Sequence, residues 1–316
     1  MTGKIGPEEL SRVLSRTGVD QEDVLVGPAY GEDAAVLSIG GERLVVSSDP
    51  ISLAADRAGT IAVHVAANDV AASGADPRFL QSVVFVPDLS LLEVVTDQLD
   101  REATDLGVAI VGGHTEVAEY LPRPLLVLTC MGIADRLTPT SGAEPGDRVL
   151  LTKGAAIEAT AILATDFVEE SGLTEELLAR AEAFFSELSV VPEARLLRER
   201  ANSMHDPTEA GVLGGLYELA HASDVRIDVE REAVGIREPT DALCSAMGID
   251  PLRAFGSGAL LATVPSAGVD GALAALSGDG IGASEIGRVS EGGPSLVLDG
   301  ETITDPPRES TYPLWE

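Results

Sequence analysis

Lysine is almost missing from this chain: of its 21 basic residues only Lys4 and Lys153 are lysine, against 52 acidic residues and a formal net charge of −31. So acidic a surface repels nucleic acid and anionic membranes, and at ordinary ionic strength it also repels itself unless salt screens it. The expectation is a halophilic acidic protein of a salt-loaded cytoplasm, with neither nucleic acid nor membrane as partner. Cysteine is limited to Cys130, in an apolar run, and Cys244, in a helical stretch, which argues against a disulfide framework or a cysteine metal clip. Both thiols read as buried small hydrophobes. No stretch approaches the roughly 20 apolar residues of a membrane span. The N-terminus, with Lys4, Glu8 and Glu9, lacks the apolar segment of a secretory signal, so a cytoplasmic location is expected.

What is present is ample apolar material: 45% of 316 residues are hydrophobic, enough for sizeable cores and a length that favours about two domains. Leu10, Val13 and Leu14 after Pro7 make a short amphipathic helix, and Ala34 to Ser38 and Arg43 to Ser48 read as strands around Gly40-Gly41. Gly59 to Ser73 is small, apolar and helix-permissive, placing Asn68 and Asp69 late on a helix that stops at Gly74-Ala75-Asp76-Pro77. Val83 to Val86, Val108 to Val111 and Leu125 to Ile133 read as strands and Leu91 to Leu106 as a helix, an α/β or α+β half. Thr138 to Arg148, punctuated by Pro139, Gly142, Pro145 and Gly146, is the best boundary, giving units 1–145 and 146–316. In the second unit strands are expected at Val149 to Thr152, Arg226 to Val229, Ala259 to Val264 and Pro294 to Leu298. Helices are expected at Ala156 to Glu170, Thr174 to Glu187, Pro192 to Arg200, from Gly214 onward, and at Pro239 to Met247.

The chemistry-bearing strings are acidic side chains set among glycine, alanine and serine. They are Gly31-Glu32-Asp33-Ala34-Ala35, Ser47-Ser48-Asp49-Pro50, Asn68-Asp69-Val70-Ala71-Ala72-Ser73-Gly74-Ala75 and Gly112-Gly113-His114-Thr115-Glu116. Hard oxygen ligands beside residues that allow close backbone approach suit a divalent cation bridging phosphates. Asp33, Asp49 and Asp69 are therefore candidates for magnesium and phosphate, with Glu116 as a fourth. Each also has a structural alternative, Asp49-Pro50 as a turn initiator and Asp69 as a helix-end polar residue. Lys153 beside Gly154 can reach a phosphate as a point charge or be an ordinary surface lysine. His205-Asp206-Pro207-Thr208 precedes a glycine-opened helix whose free N–H groups can take an anion; Asp206 either faces an acceptor or caps that helix.

In their joint order these strings resemble the aminoimidazole-ribonucleotide-synthetase (AIR synthase) superfamily. Thr152-Lys153-Gly154 with Glu158-Ala159-Thr160-Ala161-Ile162, Met204 to Gly211, and Phe255-Gly256-Ser257-Gly258 resemble its hydrogenase-maturation HypE branch. The resemblance spans nearly the whole chain. It implies a two-domain α+β fold: an N-terminal mixed sheet that forms an inter-subunit barrel in a homodimer, with nucleotide at the interface, and a C-terminal α/β sandwich. It implies ATP and Mg2+ as cofactors, and transfer of the γ-phosphate to an acceptor oxygen, a reaction that needs neutralised charge and alignment more than a protein nucleophile. On this resemblance Asp69, Asn68, Lys153 and Asp206 take catalytic roles. Gly31, Asp33, Asp49, Gly112, Gly113, His114 and Thr115 hold the nucleotide, while Asp33, Asp49, Asp69 and Glu116 hold metal. His114 stands where relatives commonly carry Asp or Glu, and imidazole is a softer ligand than magnesium prefers. HypE proteins that make the nitrile ligand carry a terminal cysteine, whereas this chain ends Tyr312-Pro313-Leu314-Trp315-Glu316. The expectation is therefore a HypE-like enzyme acting on a separate small-molecule or protein-borne acceptor. The alternatives are thiamine-monophosphate kinase, aminoimidazole ribonucleotide synthetase and a non-catalytic nucleotide-binding regulator or scaffold. Against the kinase stands Ile51 to Asp56, where a Gly-x-His-Phe element is usual.

Overall fold

The computed structural model describes residues 3–315, so the terminal Glu316 lies outside it. Helix α1 (Pro7–Leu14) starts on proline, whose missing N–H costs nothing in a first turn. Strand β1 (Val24–Val26) precedes a hairpin of β2 (Ala35–Ile39) and β3 (Glu42–Ile51), turned by Gly40 and Gly41, both at positive φ. Helix α2 (Ala58–Ala72), β4 (Asp76–Val86), α3 (Ser90–Leu106), β5 (Ala109–Val117) and β6 (Leu125–Ala134) complete the first half. Its six strands form one sheet in the order β1-β2-β3-β6-β4-β5, antiparallel apart from the parallel pair β4 and β5.

The second half runs β7 (Asp147–Thr152), α4 (Ile157–Asp166), α5 (Val168–Ser171), α6 (Glu175–Glu182), α7 (Val191–Leu197), β8 (Ser203–His205) and α8 (Gly211–Ala222). It continues with β9 (Arg226–Val229), α9 (Glu238–Met247), β10 (Leu261–Pro265), α10 (Val269–Gly278), β11 (Ala283–Ser290), β12 (Ser295–Leu298) and β13 (Glu301–Ile303). These strands make a seven-stranded sheet in the order β13-β12-β9-β11-β7-β10-β8, with β9 and β12 the parallel pair. The architecture is α+β, with two mixed sheets.

Helix α2 joins the halves. Its sequence, AGTIAVHVAANDVAA, has no polar stripe, and all 15 residues are buried. A helix apolar on every side belongs in an interior. It packs on β3 and β6, against α3, and against α7 and β8 of the second half. One core accordingly unites Val45, Val63, Leu126 and Leu128 with Leu150, Leu197, Met204 and Leu260.

Two strands extend beyond their expected bounds. β4 begins at Asp76 because Gly74, at φ +94°, ends α2 and turns the chain directly into the sheet, where Arg195 and Arg198 hold the Asp76 carboxylate. β5 continues through Gly112-Gly113 to Val117. Gly113 pairs with Ser82 of β4, and a Cβ there would stand 1.8 Å from the Ser82 carbonyl oxygen, so glycine alone permits this pairing. The expected helix Ala156 to Glu170 breaks at Phe167 into α4 and α5, and Thr174 to Glu187 becomes α6 followed by a 3-10 turn. All nine β5 residues are exposed, Ile110, Val111 and Val117 among them. The β6 face turned away from α2, with Val127, Met131 and Ile133, is only half-buried.

Candidate active site

Asp33, Asp49, Asp69 and Asp206 line one cavity of about 1240 Å3. Each arrives on a different element. Asp33 ends the loop before β2, Asp49 lies in β3, Asp69 in α2, and Asp206 directly follows β8. Gly31, at φ +86°, brings the Asp33 loop against α8; a Cβ there would come within 2.8 Å of the Glu218 carbonyl oxygen. The same loop is anchored by Glu32, whose carboxylate accepts the backbone N–H groups of Thr140 and Ser141 at 3.2 and 3.1 Å.

Asp33 is clamped on both oxygens. Oδ1 pairs with His205 Nδ1 at 2.7 Å, while Oδ2 accepts from Thr140 Oγ1 at 3.3 Å and from the Asp206 amide at 3.4 Å. His205 Nε2 meets Glu218 Oε2 at 3.3 Å, and Glu218 Oε1 pairs with Lys4 Nζ at 3.2 Å. Burial opposes the imidazolium of His205, but Asp33 and Glu218 outweigh it and raise its pKa to about 10. Burial likewise works against a charged Glu218, yet Lys4 and His205 hold its carboxyl down to about 2.

The other carboxylates are uncompensated. Ser47 Oγ lies 2.6 Å from Asp69 Oδ2 and 2.9 Å from Asp49 Oδ2. Ser47 Oγ is the donor to both, and the Asp69 carboxyl is pushed well above its usual range by burial and then by the charges of Asp49 and Asp33. Asp206 is 1% exposed, and neither of its carboxylate oxygens has a hydrogen-bond partner. Burial, followed by the charge of Asp33, raises it strongly. It does not cap α8, whose N-cap position is Ala210 in left-handed conformation without a side-chain cap.

Several sequence candidates stand elsewhere. Asn68 is fully buried and spent on the fold: its Nδ2 donates to the Leu188 carbonyl and its Oδ1 accepts from Val190 N, each at 2.9 Å. Lys153 Nζ pairs with Glu193 at 2.6 Å and donates to the carbonyls of Glu187 and Ser189 at 2.7 Å, using all three ammonium hydrogens. The phosphate role expected for Lys153 is thus corrected to an internal pin. Gly112, Gly113, His114, Thr115 and Glu116 lie on exposed β5, at the sheet edge beyond β6 and β4. There His114 Nε2 faces Glu116 Oε2 at 3.4 Å, and within one chain none of the five reaches the aspartates.

Among the described residues, no three His, Cys, Asp or Glu side chains enclose a metal by themselves. Magnesium nevertheless suits this donor set, because it commonly takes one or two carboxylates and completes its octahedron with phosphate oxygens and water. The partnerless oxygens of Asp206 and the mutual repulsion around Asp69 call for a cation.

Sequence reasoning missed Lys4, Ser47, His205 and Glu218 as site residues. Two signals were available: Lys4 is one of two lysines, and Ser47 stands two residues before Asp49 on a strand, hence on the same face. It also missed Glu309. That carboxylate accepts from Ala210 N, Thr311 N and Thr311 Oγ1 at 2.8–2.9 Å, tying the chain's last segment to the start of α8. Trp315 and Tyr312 continue the attachment, packing edge-on against Phe167 and Phe255. Cys130 and Cys244 are free and buried, as expected.

The AIR synthase related protein N-terminal domain matches residues 31–134 and its C-terminal domain residues 144–299. Carbamoyl dehydratase HypE of Cupriavidus necator is 30% identical over 290 residues, covering 84% of this chain and 79% of that protein. A crystal structure of hydrogenase maturation protein HypE aligns with TM-score 0.71 at 25% identity over 90% of this chain and 93% of the other. A HypE structure in complex with ATP aligns with TM-score 0.66 at 24% identity, over 94% and 91% of the two chains.

Two predictions follow from the buried charges. Lys153→Met leaves Glu193 buried without its partner and is expected to lower stability by roughly 3–5 kcal/mol in urea unfolding, with unchanged nucleotide affinity by calorimetry. Burial raises the Glu309 carboxyl from 4.5 to about 7 against the bonds from Thr311 and Ala210. A raised carboxyl favours the folded state below its unfolded pKa and loses that contribution as pH climbs through the folded one. Stability should therefore fall between pH 4.5 and 7, and Glu309→Gln should flatten that slope in unfolding midpoints compared across the window.

Proposed function

Because the chain belongs to the AIR synthase related family, we propose that it is a HypE-like enzyme that uses magnesium and ATP to phosphorylate, or thereby dehydrate, an amide- or carbonyl-type acceptor. The observation that carries this reading is the convergence of Asp33, Asp49, Asp69 and Asp206 on one cavity, where the buried Asp206 oxygens have no hydrogen-bond partner and burial with neighbouring carboxylates pushes the Asp69 and Asp206 carboxyls upward. At about 1240 Å3 the cavity exceeds the roughly 300–1,000 Å3 of a typical ligand pocket, which supports room for a nucleotide and an acceptor together.

Asp33, Asp49 and Asp69 are the proposed magnesium ligands, and Asp206 joins them on the strength of its partnerless oxygens. Magnesium there would neutralise charge on the triphosphate and help align the γ-phosphoryl group. The chain's own part is preparation. Asp33 is held in place by its 2.7 Å pair with His205. Asp69 is held by the Ser47 hydroxyl, which donates to it at 2.6 Å. Thr208 and Glu209, just before α8, line the same cavity as Ser47 and Ser48 and are proposed to bound an acceptor beside the phosphates. An acceptor oxygen placed in line with the γ-phosphorus then attacks without a protein nucleophile, and an amide oxygen so phosphorylated can leave as phosphate.

The chain is further proposed to work as a homodimer. The exposed edge strand β5 and the half-buried apolar face of β6 support pairing between two copies, since an unpaired apolar edge is a template for another strand. In that arrangement Gly112, Gly113, His114, Thr115 and Glu116 enter the nucleotide site from the partner copy.

Asp69→Asn is expected to abolish magnesium-dependent phosphate release while leaving the thermal transition in place; retained turnover would remove Asp69 from the metal site. In sedimentation velocity at high salt the chain should run at twice its 32.7 kDa mass. Val111→Lys on β5 should yield monomers without turnover, and active monomers would refute the shared site.

A further inference from the structure

Of the five aspartates that line the cavity, Asp33, Asp206 and Asp305 lie outside helices and strands, and Asp33 alone forms a salt bridge among the described residues. Asp49 and Asp69 are placed by a strand and a helix, which hold a side chain more accurately than a loop does. Asp33 needs an external clamp, and the ion pair to His205 supplies one. His205 lies on β8 and is paired through the backbone with Leu261 of β10. It is 2% exposed, and both ring nitrogens face carboxylates, Asp33 at 2.7 Å and Glu218 at 3.3 Å. Nδ1 also lies 3.3 Å from Thr140 Oγ1, whereas Nε2 faces Glu218 without a hydrogen bond.

Behind it the line continues outward. Glu218 on α8 is met by Lys4 Nζ at 3.2 Å; Lys4 also donates to Thr208 Oγ1 at 3.2 Å, and its backbone N–H to Glu209 Oε2 at 2.7 Å. Lys4 is half-exposed, so its charge comes from the surface and its stem belongs to the segment that lines the cavity mouth. Carboxylate, imidazole, carboxylate and ammonium alternate from Asp33 to Lys4. This line engages Asp33 and Glu218, whereas Asp49, Asp69 and Asp206 form no salt bridge among the described residues.

Resting on the magnesium–ATP reading above, we infer that His205 is a positioning residue: clamped between Asp33 and Glu218, with Lys4 bracing Glu218 from outside, it orients the Asp33 carboxylate toward the metal–nucleotide complex. The same contacts tie the N-terminal segment to the site, so the order of residues 3–7 and the geometry at Asp33 depend on one another. A purely repulsive role, in which an imidazolium near the metal merely weakens its binding, has the opposite consequence when the ring is removed.

The test is calorimetric titration of the full chain with magnesium and the non-hydrolysable analogue AMPPCP, alongside phosphate release. His205→Leu is expected to weaken binding by about tenfold or more, the usual cost of losing a group that orients a metal ligand. His205→Gln, which keeps an N–H toward Asp33, should restore part of the affinity. Lys4→Met, at a half-exposed position that threatens folding little, should give a smaller loss of the same sign. Combined with His205→Gln, it should add nothing further, because both act through one line of contacts. Unchanged or tighter binding in His205→Leu and Lys4→Met, with only the melting temperature lowered, would overturn the inference, as would additive losses in the double variant. If the unmodified chain bound no nucleotide, the functional reading itself would fall and this inference with it; normal binding that ignores His205 and Lys4 would sink the inference alone.

Discussion

The complete burial of α2 is the constraint on which the remaining structure depends. A fully buried 15-residue helix made mostly of alanine and valine can be stable only if every side is covered, and no single sheet covers every side of a helix. The first sheet covers one side, α3 another, and α7 and β8 of the second half the rest. The two halves therefore share a core. Because α2 also carries Asp69, the same burial delivers a carboxyl group to the seam between the halves, where desolvation is severe and no lysine or arginine compensates it.

The seam is where electrostatics is resolved. A chain with net charge −31 has few cations to place inside, and it commits two of them, Lys4 and His205, to one alternating line with Asp33 and Glu218. Its other lysine is spent on Glu193. What remains is a cavity wall in which burial pushes the Asp69 carboxyl well above its usual range and Asp206 has no partner. On the proposed reading, this wall meets a metal-bound polyphosphate, whose phosphate oxygens complete the coordination of the metal.

The closing segment follows the same logic. Glu309 places a buried carboxylate on the N–H of Ala210 at the mouth of α8, and Trp315 and Tyr312 settle on Phe167 and Phe255. Both ends of the described chain thus border the cavity, Lys4 from one side and Glu309 and Tyr312 from the other. Neither contact is visible in composition or periodicity, since each joins residues about 100 positions or more apart.

Much of the fold was legible locally. Periodicity and punctuation place α2, α3, β2, β6, β9 and α9 within a residue or two, because apolar spacing and glycine or proline stops are local properties. They miss α10 and β11, which carry no distinctive signal in a stretch rich in alanine, glycine and serine, and they end β5 at Gly112-Gly113, where glycine is needed for close strand pairing rather than for a turn. Residue type alone determined that this protein is acidic, that its thiols are inert small hydrophobes, and that Asp33, Asp49 and Asp69 sit in settings suited to a cation. Tertiary structure decided which candidates meet. It turned Asn68 and Lys153 into internal pins, put Gly112 to Glu116 on an outer edge, and recruited Ser47, His205, Glu218 and Lys4. The reason is physical: a side chain's chemistry is written at its own position, whereas its charge state and its partners are set by whatever the fold buries beside it.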